Sequence, residues 1–355
     1  MSNKYINTRI EFHILQSFPV SCLNRDDVGS PKTAMVGGVQ RARVSSQCWK
    51  RAVRLAMHDL GVTIANRTRY VAAKVQEHCA RLGALEEQAR LCGEATAAAF
   101  TKKVDSGVSD TLFFISDSET AALAAAFAAK GFVADSFAAK DLQKLCKNAI
   151  NPIHDGLDIA LFGRMVASAP EMNIEAAAAF AHAISTHKVT TEVDFFTAVD
   201  DCRQDDQTGS AHMGTVEFNS ATYYRYVSCD LGQLAENLQG EDVASAVAVF
   251  VKALFIAVPA ARQATMAAAC PWDYASIVLR KGQRLQMPFT TAVRTSKECP
   301  DLMSASQAAL QDQLVAKEKM FGSMYGKLAT LTIGAGSQAS IDDIISSLQQ
   351  AITQI

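Results

Sequence analysis

No run of about twenty residues in this 355-residue chain is free of charge; the longest candidate, residues 243–261, is broken by Lys252. A helix needs roughly that many apolar residues to cross a bilayer, so no membrane span is expected. The first sixteen residues alternate apolar and polar side chains and carry charge, unlike a signal peptide. Nine cysteines are present without a CxxC pair, which removes the common zinc-ribbon and dithiol signatures. They read as reduced, mostly buried thiols of a cytoplasmic protein. Neither a P-loop nor GxGxxG occurs, so ATP hydrolysis and dinucleotide chemistry have no motif behind them. GxSxG and HExxH are missing too: His182 and His187 lie five apart with no glutamate between them. His212 has no cysteine or carboxylate at ligand spacing, and a structural hydrogen bond is its expected role. No internal repeat or low-complexity tail is found. No metal and no cofactor is therefore expected.

Nearly half the chain is apolar (49%), and 34 Lys and Arg against 36 Asp and Glu leave a net charge of −2. That composition can bury a large core and is not disordered. The length allows one large domain with insertions, or two to three modules.

Period-two alternation predicts a strand over 5–16, with Ile6, Thr8, Ile10, Phe12, Ile14 and Gln16 on one face. A glycine- and polar-rich loop follows over 19–39, then a short strand over 41–45. A helix is predicted from Ser46 to Leu60, its apolar stripe being Trp49, Val53, Ala56, Met57 and Leu60, with Gly61 as its stop. From about 64 to 150 the sequence turns alanine-rich, with helices expected near 68–82, 84–103, 117–130 and 138–146. Residues 158–166 read as a strand and 172–187 as another alanine-rich helix. A polar, acidic stretch with two phenylalanines occupies 188–220, a tyrosine-rich strand 222–230 and a helix 240–258. Helices near 304–319 and 340–352 complete the chain. Helices separating strands that return non-locally predict an α+β sheet domain with insertions.

Residues 28–57 contain Lys32, Arg41, Arg43, Lys50, Arg51 and Arg54 and no Asp or Glu. Arg41 and Arg43 share one face of the predicted strand. Lys50, Arg51 and Arg54 lie off the Trp49 stripe. Gly37-Gly38 permits close backbone approach to a ligand. Ser45, Ser46 and Gln47 add hydrogen-bonding groups beside a helix N-terminus, where backbone N–H groups favour phosphate. Two readings fit the charge run equally well: a phosphate-backbone cradle and a solvated helix face beside a loop.

The residues themselves resemble a known family. The runs 22–27 (CLNRDD), Gly37-Gly38, 41–54 (RARVSSQCWKRAVR), 158–165 (DIALFGRM), 183–187 (AISTH), 194–201 (DFFTAVDD), 209–215 (GSAHMGT) and 224–226 (YRY) are similar, in this order, to CasC. CasC is the crRNA-binding backbone subunit of the type I-E CRISPR Cascade surveillance complex. The likeness covers roughly 1–58 and 155–235. It implies a ferredoxin-like or RRM-like palm (1–60, resumed at 221–355), an inserted helical fingers module (61–157), a palm/fingers return (158–187) and an extended thumb hairpin (188–220). Copies of such a subunit pack head to tail along a guide RNA, an arrangement that is open-ended unless capped. The resemblance also implies that Arg25, Arg41, Arg43, Lys50, Arg51 and Arg54 hold guide phosphates. Relatives can carry a cation after the double glycine; this chain has Val39 and Gln40 there. The implied partners are crRNA, the target DNA strand, further copies of the chain, the other Cascade subunits and a downstream nuclease, without a membrane.

Met165 stands in a strand-like run that would ordinarily be core, and Phe195 and Phe196 stand in an acidic stretch with few core positions. By resemblance, Met165, Phe196 and Thr197 form a wedge that interrupts the guide–target duplex at intervals, substituting for lost stacking. Glu192, Asp194, Asp200, Asp201, Asp205 and Asp206 flank it against the single Arg203, so the segment should avoid phosphate and dock on basic residues of an adjacent copy. Two other classes stand beside this one. A metal-dependent ribonuclease could use Asp26 or Asp27 to hold a divalent cation. A pure protein scaffold would bind no RNA at all.

Overall fold

The computed structural model describes residues 3–101, 104–105, 107–198, 212–239 and 242–355. The first strand is β1 (Thr8–Ser21). The hairpin β2 (Thr33–Val36) and β3 (Val39–Val44) follows, then α1 (Ser46–Asp59). The helical module comprises β4 (Asn66–Thr68), α2 (Val71–Arg81), α3 (Glu86–Phe100), the short ladder β5 (Val104–Asp105) and β6 (Val108–Ser109), β7 (Phe113–Ile115), α4 (Asp117–Ala129) and α5 (Ala139–Asn148). Then come α6 (Leu157–Phe162), β8 (Ala178–Phe180), β9 (Ala183–Ser185), β10 (Glu192–Ala198), β11 (His212–Asp230), α7 (Leu231–Asn237) and α8 (Val243–Ile256). The chain ends with α9 (Gln263–Met266), β12 (Tyr274–Lys281), α10 (Leu302–Phe321), β13 (Lys327–Gly334) and α11 (Ile341–Thr353).

The class is α+β. An antiparallel sheet runs β13-β12-β1-β11-β9-β3-β2, with β8 and β10 also paired to β11. One sheet face carries Ile10, Phe12 and Ile14 against α1, α8 and α11. The predicted apolar face is thus found from Thr8 onward, whereas Ile6 precedes β1 and is exposed, and the opposite face of the strand is buried as well. Glu11 and His13 lie beneath Leu285, Met287 and Phe289, with α10 over the same face. A separate core, built from Val71, Phe100, Phe113, Leu123 and Phe127 among others, holds the helical module together.

Three predicted elements change. Residues 158–166 are helical at their start (α6) and end in a loop rather than a strand. Residues 172–187 are not a helix: a 3₁₀ turn at Pro170–Met172 leads into β8 and β9, which pair with β11. Alanine's helix propensity is a weak prior there, and the ladder positions opposite Val227 and Tyr224 override it. The loop predicted over 19–39 contains β2 and most of a hairpin. Leu60, placed on the α1 stripe from sequence, is exposed beyond the helix end.

The buried polar face of β1 has a consequence for pH. His13 is fully enclosed, and burial, then the Arg280 charge, lowers its pKa to about 3. Met287 donates its N–H to the Tyr224 hydroxyl, which is hydrogen-bonded to His13 Nδ1 at 2.9 Å. The imidazole must therefore stay neutral in the folded chain. Unfolded, it takes up a proton below about pH 6.5. The unfolded state binds more protons across that window, so His13 contributes stability above pH 6.5 that is lost as pH falls toward 3. Between pH 7 and pH 5 the loss is about 2 kcal/mol. Urea titrations of the wild type and H13Q at both pH values measure it: the wild type should lose about that much more than the variant. Equal losses would show that His13 is not the titrating group.

Candidate nucleic-acid interface

The two-residue turn at Gly37 and Gly38 has positive φ at both positions, the geometry that closes a tight hairpin. Its role differs from the one read in the sequence. A Cβ at Gly37 would lie 1.6 Å from the Thr290 carbonyl oxygen, whereas one at Gly38 meets nothing within 4 Å. The close approach is to the chain's own 289–290 backbone. G37A should therefore destabilise the protein by about 3 kcal/mol or more, combining left-handed strain with a backbone clash. G38A should cost about 1 kcal/mol. Thermal melts of the two variants check the contrast, and equal effects would remove the packing role given to Gly37.

Arg41 continues the same contact. It is completely buried, and its guanidinium donates to the carbonyls of Ser185 and Thr186 at 2.8 Å and of Phe289 and Thr290 at 3.2 and 3.3 Å. Pairing β3 with β9 turns this side chain under the hairpin, away from solvent. Ser45 is also buried, and at the N-cap of α1 its side chain makes no capping bond. Neither Arg41 nor Ser45 is presented to a phosphate. Arg43 is half-buried: Nε donates to the Thr33 carbonyl at 3.1 Å, and Nη1 lies 3.4 Å from His182 Nδ1. Burial, then the charges of Arg43 and Lys32, lowers the His182 pKa. Lys32 and Arg43 thus form a cationic edge along the hairpin, and their charges favour the neutral form of His182 beside them.

The helix α1 places Gln47, Lys50, Arg51 and Arg54 along one side of an open groove of about 930 Å³. The helical module supplies the other side through Arg67, Leu112 and Phe114, and Phe162 and Gly163 also line it. Among the described residues, no Asp or Glu lines this groove. Arg51 is exposed; Lys50 is half-buried, its pKa lowered by burial and then by Arg284. Arg54 is committed to the fold: Nε donates to Asp158 at 2.7 Å, Nη2 to the Ala65 carbonyl, and the guanidinium stacks 4.9 Å from the Phe114 ring. Arg67 lies 5.9 Å from the same ring and is exposed. Arg67 and Phe114 were not singled out from sequence, although residues 60–76 also lack any acid and hold Arg67, Arg69 and Lys74.

Arg25 is exposed on a second groove of about 1000 Å³, which also borders Asp26, Asp27, Arg51 and Ile256. The Asp26 carboxylate accepts from the backbone N–H groups of Val28 and Ser30, which shape its turn. His187 accepts from the Thr222 N–H on Nε2 and donates from Nδ1 to the Lys188 carbonyl, a structural role. Among the described residues no three His, Cys, Asp or Glu side chains converge as metal ligands, and no helix is long and apolar enough to cross a membrane.

Met165 is 85% exposed two residues beyond Gly163, so it stands near the acid-free groove and not in the core. Phe196 and Thr197 are exposed on β10, opposite Gly214 and Met213 of β11. The Phe196 ring lies across Gly214, where a Cβ would fall 2.6 Å from its Cζ. That cover leaves Phe196 39% exposed against 61% for Phe195. Glu192 and Asp194 are exposed on the same strand. Asp200, Asp201, Arg203, Asp205 and Asp206, and the side chain of His212, lie outside the described residues.

The fold is α+β, with a groove between a sheet-packed helix and the helical module that cations line from both sides, and with Met165 exposed near it. The model of the CT1975-like Cas proteins matches residues 10–354, and the chain belongs to that family. It is similar to a chain of a CRISPR RNA-guided surveillance complex described as pre-nicking: 28% identity, TM-score 0.77, covering 96% of this chain and 100% of that one. It is also similar to a chain of a second CRISPR RNA-guided surveillance complex: 26% identity, TM-score 0.59, covering 97% and 100%. No curated protein matches.

Proposed function

We propose that the chain is the non-catalytic, crRNA-holding backbone subunit of a type I-E CRISPR Cascade complex, the role of CasC. Copies pack head to tail along the guide in the cytoplasm and present it for pairing with a target DNA strand. Other Cascade subunits cap the filament and a nuclease acts downstream. The sheet layer is the RRM-like palm, the helical module the fingers, and the β10–β11 hairpin the thumb. Guide phosphates lie against Gln47, Lys50, Arg51 and Arg67 in the acid-free groove, with Arg43 and Lys32 at the hairpin edge and Arg25 at the neighbouring groove. Arg54 shapes the wall through Asp158. Met165, Phe196 and Thr197 displace base pairs at intervals, so base pairing reads sequence while the protein reads backbone and A-form shape.

The observation that carries this reading is that, among the described residues, no acid lines a groove whose two walls both supply cations. Membership of a Cas family and the likeness to surveillance-complex chains support it. Co-expression with the other complex subunits and a repeat–spacer transcript should yield the chain bound to guide-length RNA. Recovery as an RNA-free monomer would reject the assignment. Cleavage of a bound target RNA with Mg²⁺, abolished by D26A or D27A, would replace it with catalysis.

A further inference from the structure

Met165 is exposed, yet the residues on either side of it are firmly held in the helical module. Arg164 is buried; Nη1 donates to both Glu119 carboxylate oxygens at 2.7 and 2.9 Å and to the Phe114 carbonyl at 3.1 Å, and Nε donates to the Met172 carbonyl at 2.9 Å. The Arg164 backbone exchanges two hydrogen bonds with Ile174, each of 2.9 Å. Val166 is buried, and its N–H donates to the Asn173 side chain at 2.7 Å. Successive side chains of an extended segment point to opposite sides, so drawing Arg164 inward turns Met165 outward.

Glu119 is a junction in its own right. It accepts from the Ser116 N–H at 2.9 Å in the capping box of α4 and from the Cys146 thiol of α5 at 3.4 Å. Because Arg164 also holds the Phe114 carbonyl, one guanidinium fixes both a wall of the groove and the base of the exposed methionine.

We infer that Arg164 and Glu119 are positioning residues for the wedge, their buried pair setting the height and direction of Met165 against the groove wall at Phe114. The inference rests on the wedge role of Met165 proposed above. An ion pair buried this completely is weak evidence for added stability, since a well-packed apolar pair often serves folding as well. A geometric role gives it a reason to be there.

The test uses the guide-loaded complex and target strands carrying 2-aminopurine at successive positions, which brightens where the base is unstacked. Wild-type complex should brighten at regular intervals, and M165A complex should lose that signal while retaining guide RNA. R164M complex should also retain guide RNA and lose most of the signal. The loss in R164M should leave the fluorescence response of unpaired target positions and the guide content at wild-type levels, which a general structural defect would not do. Wild-type periodic brightness in R164M, or a lowered guide content that accompanies its loss, overturns the positioning role. Absence of periodic brightening in the wild type, or its persistence in M165A, removes the wedge itself and the inference with it. Should R164M fail to load guide, R164K, which keeps the charge opposite Glu119, is read by the same criteria. Failure of both to load guide assigns the pair to folding alone and overturns the inference.

Discussion

Replacing Arg41 by methionine is expected to remove about 4 kcal/mol of folding stability while leaving RNA affinity per folded molecule unchanged. The side chain has no exposed surface and donates to four carbonyls, two at the end of β9 and two in the 289–290 segment. Methionine fills much of the volume but has no N–H, so buried carbonyls lose their donors, each at about 1–3 kcal/mol before relaxation. The damage should spread to Gly37, because the Thr290 carbonyl that Arg41 holds is the one against which the hairpin turn packs. Lysine should be only partly better: it keeps the charge, but a single ammonium lacks the planar fork that reaches both segments at once. Urea unfolding of wild type, R41M and R41K gives the stability order, and RNA titration of the folded fraction gives affinity. R41M with wild-type stability and weakened RNA binding would restore to Arg41 the phosphate role that the sequence resemblance implies.

Arg41 also shows where sequence stops being sufficient. The acid-free character of 28–57, the helix at α1 and the four helices of the insert are all local properties, fixed by composition and by a 3.6-residue period, and they are found where they were expected. Which cations face solvent is not local. Arg41 and Arg43 share a face of β3 by spacing, but one reaches under the sheet to two distant segments while the other reaches the Thr33 carbonyl on the hairpin's edge. Arg54 is off the apolar stripe, as the helical period requires, and is nevertheless held by Asp158, a hundred residues away in sequence and fully buried. Glu11 and His13 have the look of a solvated strand face and are buried because the 282–300 segment folds over them. In the other direction, Arg67 and Phe114 come from separate short strands and become a groove wall only through β4–β7 pairing. The alanine-rich run 176–187 misleads for a related reason: small side chains suit a helix, and they equally suit short strands packed closely on β11.

Removing three groove cations together, as K50A/R51A/R67A, should weaken guide-RNA binding most at low salt and flatten its salt dependence. Each phosphate neutralised on a single strand contributes a slope of about −0.7 in log K against log salt, so the triple variant should lose about 2 from the magnitude of that slope. The three residues are suited to the test because none forms a described ion pair: Lys50 and Arg67 have aromatic rings beneath them, and Arg51 lies exposed on the ridge between the two grooves. Their removal should therefore change stability little. R54A makes the opposite comparison. Losing its guanidinium strands a fully buried Asp158 carboxylate, so that variant should lose stability by about 3 kcal/mol or more, with little change in slope among molecules that remain folded. Binding of a spacer-length RNA at several salt concentrations, with a melt on each variant, separates the two behaviours. A flat salt response already in the wild type would mean that no phosphates are gripped, and the chain would then be a protein scaffold. A slope lost in R54A and retained in the triple variant would move the guide path off the groove between α1 and the helical module, leaving the Lys32–Arg43 hairpin edge as the surface where phosphate is held.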